Sequence, residues 1–202
     1  MAEPAYPRTF PASEDGESWP ARGEWTYEEF LRLPEDGNRY EVIRGFLYVT
    51  PPPTPEHQFT SFELSFHLSS FVRANGLGLV LAAPLGIKLP SGIATPVQPD
   101  VVFFRKGNEP QRGTSYYEGV PDLIAEVLSP RTRRRDGKTK LEAYQEAGVS
   151  EYWLSDPDAR TVVVYSLKQG KYIELVRGGE GDVVGSAVLP GFEVKVSELF
   201  MP

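Results

Sequence analysis

A single mixed α/β domain, with a central mixed sheet flanked by helices, is the fold the sequence predicts. Strand-like apolar runs recur between residues 39 and 188, one stretch of helical spacing precedes them and two interrupt them, a pattern that places both element types in one layered domain. Glycine-centred turns at Arg44-Gly45 and Gln169-Gly170 join runs that pair as hairpins. The chain has 202 residues and is 40% hydrophobic, enough for one domain with a real core.

The elements follow in order. Residues 1–22 carry Pro4, Pro7, Pro11 and Pro20 among polar residues and read as a flexible arm preceding a domain over 23–202. Thr26 with Glu29 three residues on is a capping box that opens a short helix over 27–33. Residues 39–43 and 46–50 form a hairpin, which Pro51-Pro52-Pro53 ends. Phe59, Phe62, Phe66, Leu68, Phe71 and Val72 keep helical spacing, and Gly76 stops that helix. Strands are expected at 77–82, 85–89, 98–104 and 121–128, with a polar segment over 105–120. A helix from residue 134 or 136 to Ala147 closes at Gly148, and strands follow at 151–155, 161–167, 171–176 and 182–188.

Composition removes several chemistries. With no cysteine there is no disulfide, thiolate nucleophile or Cys-zinc site, and the two histidines, His57 and His67, exclude a His-rich metal centre. No apolar run reaches the roughly 20 residues a membrane span needs, and the N-terminus lacks signal-peptide order, so a cytoplasmic protein with no membrane partner is expected. The net charge is −7, but residues 1–36 hold nine acids against Arg8, Arg22 and Arg32, so six of the seven surplus negative charges lie there. The concentrated positive patch is Arg131, Arg133, Arg134, Arg135, Lys138 and Lys140, interrupted by Asp136 alone among the acids. A solvated loop explains such a run; its place directly after the 121–128 strand also suits a phosphate backbone.

Two acids sit inside apolar strands. Side-chain alternation gives Glu126 the face of Ile124 and Leu128, and gives Asp100 the face of Val102 and Phe104. A carboxylate there needs a proton, a basic partner or a metal, because an unpaired buried charge costs more than packing returns. Asp100 and Glu126 on neighbouring strands suffice for Mg²⁺ or Mn²⁺, with the Val127 carbonyl as a further oxygen ligand. Such a cation polarises a phosphodiester and activates water. Lys138 and Lys140 lie about 200° apart on an α-helix, so one of them reaches the sheet. Lys140 borders the apolar side made by Leu141, Tyr144 and Ala147 and can run its stem inward. The competing reading is a surface Asp136–Lys140 pair of no functional meaning.

The segments PD at 99–100, AEV at 125–127, RRRDGKTKLEAY, AGVSEYW and SDPD, with TYEEFLRL, RYEVIRGFLYV, PPPTPEH and LPGFEVKVSELF, resemble the Uma-two restriction-endonuclease family within the PD-(D/E)xK nuclease superfamily. The resemblance spans most of residues 25–200 and implies a restriction-endonuclease-like fold with Asp100 and Glu126 as metal ligands. It also raises Glu41, which shares a strand face with Ile43, as a third acidic group. The superfamily's lysine position after Glu126 is Leu128 here, so the role passes to Lys140 on the following helix. His57 and Gln98 are candidates for the site rim, against simpler readings as a helix-terminal histidine and a polar loop residue. Asp122 lies at the strand entrance, four residues from Glu126 and over ~13 Å away at strand rise. His67, Tyr152 and Trp153 read as structural.

The expected activity is therefore that of an Mg²⁺- or Mn²⁺-dependent endonuclease acting on DNA, a hydrolase. A homodimer would cut both strands, although no interface is legible. The alternative is an inactive nucleic-acid-binding or interaction protein that retains the fold, motivated by Leu128 and the acidic balance. A hydrolase of small phosphoesters is a third class and needs a closed pocket.

Overall fold

The computed structural model describes residues 19–50 and 52–202. The expected arm falls, for its first 18 residues, outside the described residues. A six-stranded sheet in the order β10-β9-β8-β7-β5-β3 forms the centre: β3 (Gly78–Ala82), β5 (Val101–Arg105), β7 (Leu123–Val127), β8 (Glu151–Asp156), β9 (Thr161–Lys168) and β10 (Lys171–Gly178). Only β7 and β8 run parallel; the other neighbours are antiparallel, so the sheet is mixed.

Parallel strands need a long crossover, and residues 128–150 supply it. A six-residue π-helical turn, Arg135–Lys140, runs directly into helix α3 (Leu141–Ala147), where an uninterrupted α-helix is expected from the sequence. Gly148 ends α3 in the left-handed conformation, φ 89°, a geometry that favours glycine. The other helices are α1 (Tyr27–Leu31), whose Thr26 N–H donates to Glu29 Oε2 at 2.9 Å, and α2 (Pro55–Ala74), whose N-cap Thr54 accepts from the His57 N–H.

Strand alternation sorts the core into two faces. Leu123, Ala125 and Val127 of β7 meet Leu64, Leu68 and Val72 of α2, while Ile124 joins Ala143, Tyr144 and Tyr152 under the crossover. Helix α2 buries His57, Thr60, Leu64, Leu68 and Val72; Phe62 and Phe66, on a different row of the same helical period, are 64% and 55% exposed. Tyr152 and Trp153 are fully buried, on opposite faces of β8.

Strands β1 (Arg39–Ile43) and β2 (Phe46–Thr50) form the expected hairpin, with Arg44 and Gly45 at φ 52° and 74°. A Cβ on Gly45 would lie 2.2 Å from the Gly23 carbonyl oxygen, which fixes glycine there. The hairpin is held against the 93–97 loop by Val42 N–H to Pro96 O and Thr95 N–H to Val42 O, at 2.9 and 2.8 Å. That loop leads directly into Asp100. Strands β4 (Gly86–Lys88) and β6 (Tyr116–Glu118) pair in parallel, so the 105–120 segment, polar in sequence, contains a short strand. Strands β11 (Val183–Gly185) and β12 (Glu193–Lys195) close the fold. Among the described residues no helix is long and apolar enough to cross a membrane.

One buried acid is purely architectural. Glu151, fully buried at the start of β8, accepts from Trp153 Nε1, Ser186 Oγ and the Ala187 N–H at 2.6–2.7 Å and from the Val188 N–H at 3.2 Å. Removing it strands several donors at once, each costing about 1–3 kcal/mol when left unsatisfied. Glu151→Ala is expected to lose about 3 kcal/mol or more, read as a lower urea midpoint at unchanged m.

Candidate metal and phosphodiester site

The site begins with register. Val101 of β5 pairs with Ala125 of β7, so continuing the antiparallel ladder by one residue sets Asp100 opposite Glu126 on the crossover side. The Val127 N–H donates to Asp100 Oδ2 at 2.9 Å, which fixes the carboxylate against the neighbouring strand. Arg39 Nη1 lies 3.0 Å from Asp100 Oδ1, and His57 Nε2 lies 3.2 Å from Oδ2. Burial favours protonation of Asp100, but the hydrogen bond and charge of His57 and the charges of Arg39 and Lys140 outweigh it. The carboxyl is held well below its usual range.

Glu126 has a different environment. Its Oε1 accepts from Lys140 Nζ and from the Tyr144 hydroxyl, both at 2.7 Å, and no described residue donates to Oε2. Burial pushes its carboxyl up to about 8; Lys140 opposes the rise, and the negative charges of Asp100, Asp136 and Glu41 add to it. Lys140, 1% exposed, also reaches Glu41 Oε1 at 2.8 Å and lies 3.7 Å from Asp136 Oδ1. Burial would lower its ammonium pKa, but the charges of Glu126, Glu41 and Asp136 raise it above the ordinary lysine value. Lys140 therefore keeps its charge, and Glu126 is the acid that takes up a proton most readily.

Glu41 completes the cluster from β1. It accepts the Gln98 N–H at 2.8 Å and faces Arg135 Nη1 at 3.3 Å. Burial works against its ionisation, but Lys140 and Arg135 hold its pKa down. Gln98 turns its side-chain amide to the Tyr40 carbonyl at 3.1 Å, so its backbone is what touches the cluster.

The structure thus brings together Glu41, His57, Gln98, Asp100, Glu126 and Lys140. It adds Arg39, Asp136 and Tyr144, which sequence reasoning missed although signals existed. Arg39 shares the β1 face of Glu41, Asp136 precedes Lys140 by four residues, and Tyr144 follows it by four. The Asp136–Lys140 contact is buried, so it is no surface pair. Val127 contributes its N–H to Asp100.

The basic run divides. Arg135 turns inward between Glu41 and Asp136, with 10% of its side chain exposed. Arg133 is tied to Asp156 and lies 3.2 Å from Asp158. Arg131, Arg134 and Lys138 are exposed. Asp122 sits at the far end of β7, accepting from the Arg105 N–H and Asn108 Nδ2 at 2.9 Å. His67 lies 3.8 Å from Glu63 and 3.7 Å from Glu198, away from the cluster.

A hard cation fits the donor chemistry. The cluster supplies carboxylate oxygens, Glu126 Oε2 is unclaimed among the described residues, and four acids face Arg39, Arg135 and Lys140. No three described His, Cys, Asp or Glu side chains form a ready cage, but a magnesium site with two carboxylates and waters requires none. Asp100 accepts one donor on Oδ1 and two on Oδ2, so acceptor capacity remains on Oδ1 for a cation.

A family model described as "Putative restriction endonuclease", Uma2, matches residues 27–197. A crystal structure from Anabaena variabilis, described as "a putative nuclease belonging to DUF820", superposes with a TM-score of 0.73 at 23% identity, covering 87% of this chain and 97% of that one. At that identity the likeness is one of fold. No curated protein matches.

Because Lys140 separates two buried acids, Lys140→Met is expected to cost about 3–5 kcal/mol, the range for breaking a buried ion pair from one side. Adding Glu126→Gln should recover part of that loss, so a double-mutant cycle by urea denaturation is expected to show strong coupling.

Proposed function

Given that the chain belongs to the Uma2 family of restriction-endonuclease type, we propose that it is a metal-dependent endonuclease hydrolysing DNA phosphodiester bonds. The observation that carries this reading is the meeting of Asp100 and Glu126 across adjacent strands, with Lys140 Nζ 2.7 Å from Glu126. Asp100 and Glu126 would hold Mg²⁺ or Mn²⁺, with the Val127 carbonyl as a further oxygen. Bound there, the ion supplies polarisation of a phosphate oxygen and a more acidic water.

The chain's own groups do the rest. Lys140, fixed between Glu41 and Glu126, orients the attacking water and balances charge that grows on the phosphorus oxygens. Arg39, 22% exposed at its side chain, is the cation of the cluster with the most access to solvent and is suited to a phosphate oxygen. Glu41 holds Lys140 and Arg135 in place, and His57 steadies Asp100. The exposed Arg131, Arg134 and Lys138 border the same crossover and suit contact with the nucleic-acid backbone.

A second reading, an inactive nucleic-acid-binding protein, is favoured by one observation: both Asp100 oxygens already hold donors. Incubating supercoiled plasmid and single-stranded DNA with Mg²⁺, Mn²⁺ or EDTA separates the two. Metal-dependent cleavage is expected, with Asp100→Asn and Lys140→Met each lowering the rate by about 100-fold or more, the scale of losing electrostatic stabilisation at a reacting centre. Cleavage indifferent to EDTA and to Asp100→Asn would sink the proposal, whereas no cleavage together with salt-sensitive binding selects the second reading.

A further inference from the structure

A narrow cleft among the described residues reaches the buried cluster, and its walls carry information about the substrate. The cleft, about 190 Å³, runs between α2 and the end of β3 and has Arg39, His57 and Asp100 at its inner end. Its lining includes Ser61 and Ser65, successive members of one i,i+4 row on α2, and Ala82 and Ala83 across from them. Small side chains on both sides let a thin chain approach the backbone closely. Phe62 lines it too, and Phe66 follows one turn on; both rings stand 64% and 55% in solvent although the core is a helix-width away. His57 supplies an independent sign of a ligand: its side chain is 9% exposed, it lines the cleft, and its Nδ1 has no hydrogen-bond partner.

Charge and size decide between occupants. A duplex presents one negative charge per roughly 1.7 Å of axis and calls for a band of cations; the cleft's lining offers one arginine, Arg39, and His57, both already facing Asp100. At about 190 Å³ it is also below the roughly 300 Å³ at which closed sites for small ligands begin. An aromatic ring beside hydroxyls and a single arginine matches one unpaired base and its phosphate, since base–aromatic stacking needs no duplex and tolerates any base. We propose that the α2–β3 cleft binds single-stranded nucleic acid, with a base stacked on Phe62, the following base reaching Phe66 and a phosphate on Arg39. The proposal deepens the nuclease reading and rests on it for the direction of the strand toward Asp100.

Binding of fluorescein-labelled single-stranded DNA, single-stranded RNA and a DNA duplex of equal length, followed by anisotropy in EDTA, tests it apart from cleavage. Single strands are expected to bind at least about tenfold more tightly than the duplex. Phe62→Ala should weaken single-strand binding roughly 5- to 100-fold, while Phe62→Trp keeps it. Because Phe62 is mostly exposed, unchanged thermal melting is expected for both variants and establishes that folding is intact. The DNA and RNA arms identify which sugar the cleft accepts. Equal or tighter duplex binding, no binding of any strand, or Phe62→Ala indistinguishable from wild type overturns the proposal. So does a dimer that Phe62→Ala dissociates without changing strand affinity, since the rings would then cover a second copy. Phe62-dependent binding without metal-dependent cleavage would leave the cleft assigned and remove only the nuclease reading; cleavage without Phe62 dependence would do the reverse.

Discussion

The ammonium of Lys140 lies between the carboxylates of Glu41 and Glu126, and much of the molecule is arranged to keep it there. Those three residues come from the N-terminal hairpin, a central strand and the β7–β8 crossover, parts of the chain far apart in sequence that also share the core around Ile43, Ile124 and Tyr144. Burying any one of them alone would cost several kcal/mol. Together with Arg39, Arg135, Asp100 and Asp136 they form a network of four acids and three cations, and the one surplus acid is offset by a proton on Glu126, the acid least able to ionise. The hairpin's backbone bonds to the 93–97 loop, the register of β5 on β7 and the π-helical turn all deliver side chains to this one point.

The π-helical turn has a physical role in that delivery. A π turn takes in an extra residue and shifts the side chains that follow. Across Arg135–Lys140 it coincides with three inward groups, Arg135, Asp136 and Lys140, while Lys138 stays exposed. The crossover thereby supplies both the ion that binds Glu126 and the ion that binds Glu41. Tyr144, one turn further on in α3, adds a hydroxyl to the same Glu126 oxygen and packs its ring on Tyr152 at 5.1 Å between centroids. Core packing and site geometry are therefore the same set of contacts.

The two acids at the centre divide their work by environment. Asp100 is ionised because His57, Arg39 and Lys140 outweigh its burial; Glu126 is raised because burial, reinforced by the neighbouring acids, outweighs Lys140. Asp100 stands where the cleft meets the cluster, and Lys140 and Glu126 stand behind it. Arg39 and Asp100 line the cleft, whereas Lys140 and Glu126 are 1% and 2% exposed.

Much of this was legible in the amino-acid order. The strand faces of Asp100 and Glu126, the β1–β2 and β9–β10 hairpins, the capping box of α1 and the Gly148 stop each follow from spacing or turn chemistry, which act over a few residues. Lys140 could be separated from Lys138 by helix geometry, although the turn that carries it is π-helical. The short β6 strand inside a polar segment was not legible, because a parallel bridge to β4 creates it. Nor were the partners of the acids: Arg39 and Arg135 look like ordinary surface arginines until the hairpin and crossover fold over the sheet. The phenylalanine rows of α2 show the same limit. Spacing established a helix, but which row faces the core depends on how the helix lies on β5 and β7, and that placed Leu64, Leu68 and Val72 inside and Phe62 and Phe66 in water. The sequence by itself determined the element order and which carboxylates had to be neutralised, because periodicity and burial cost are local properties. Only the tertiary structure decided what neutralises them and where the site opens, because ion pairs between residues as far apart as Glu41 and Lys140 exist only once the chain has closed on itself.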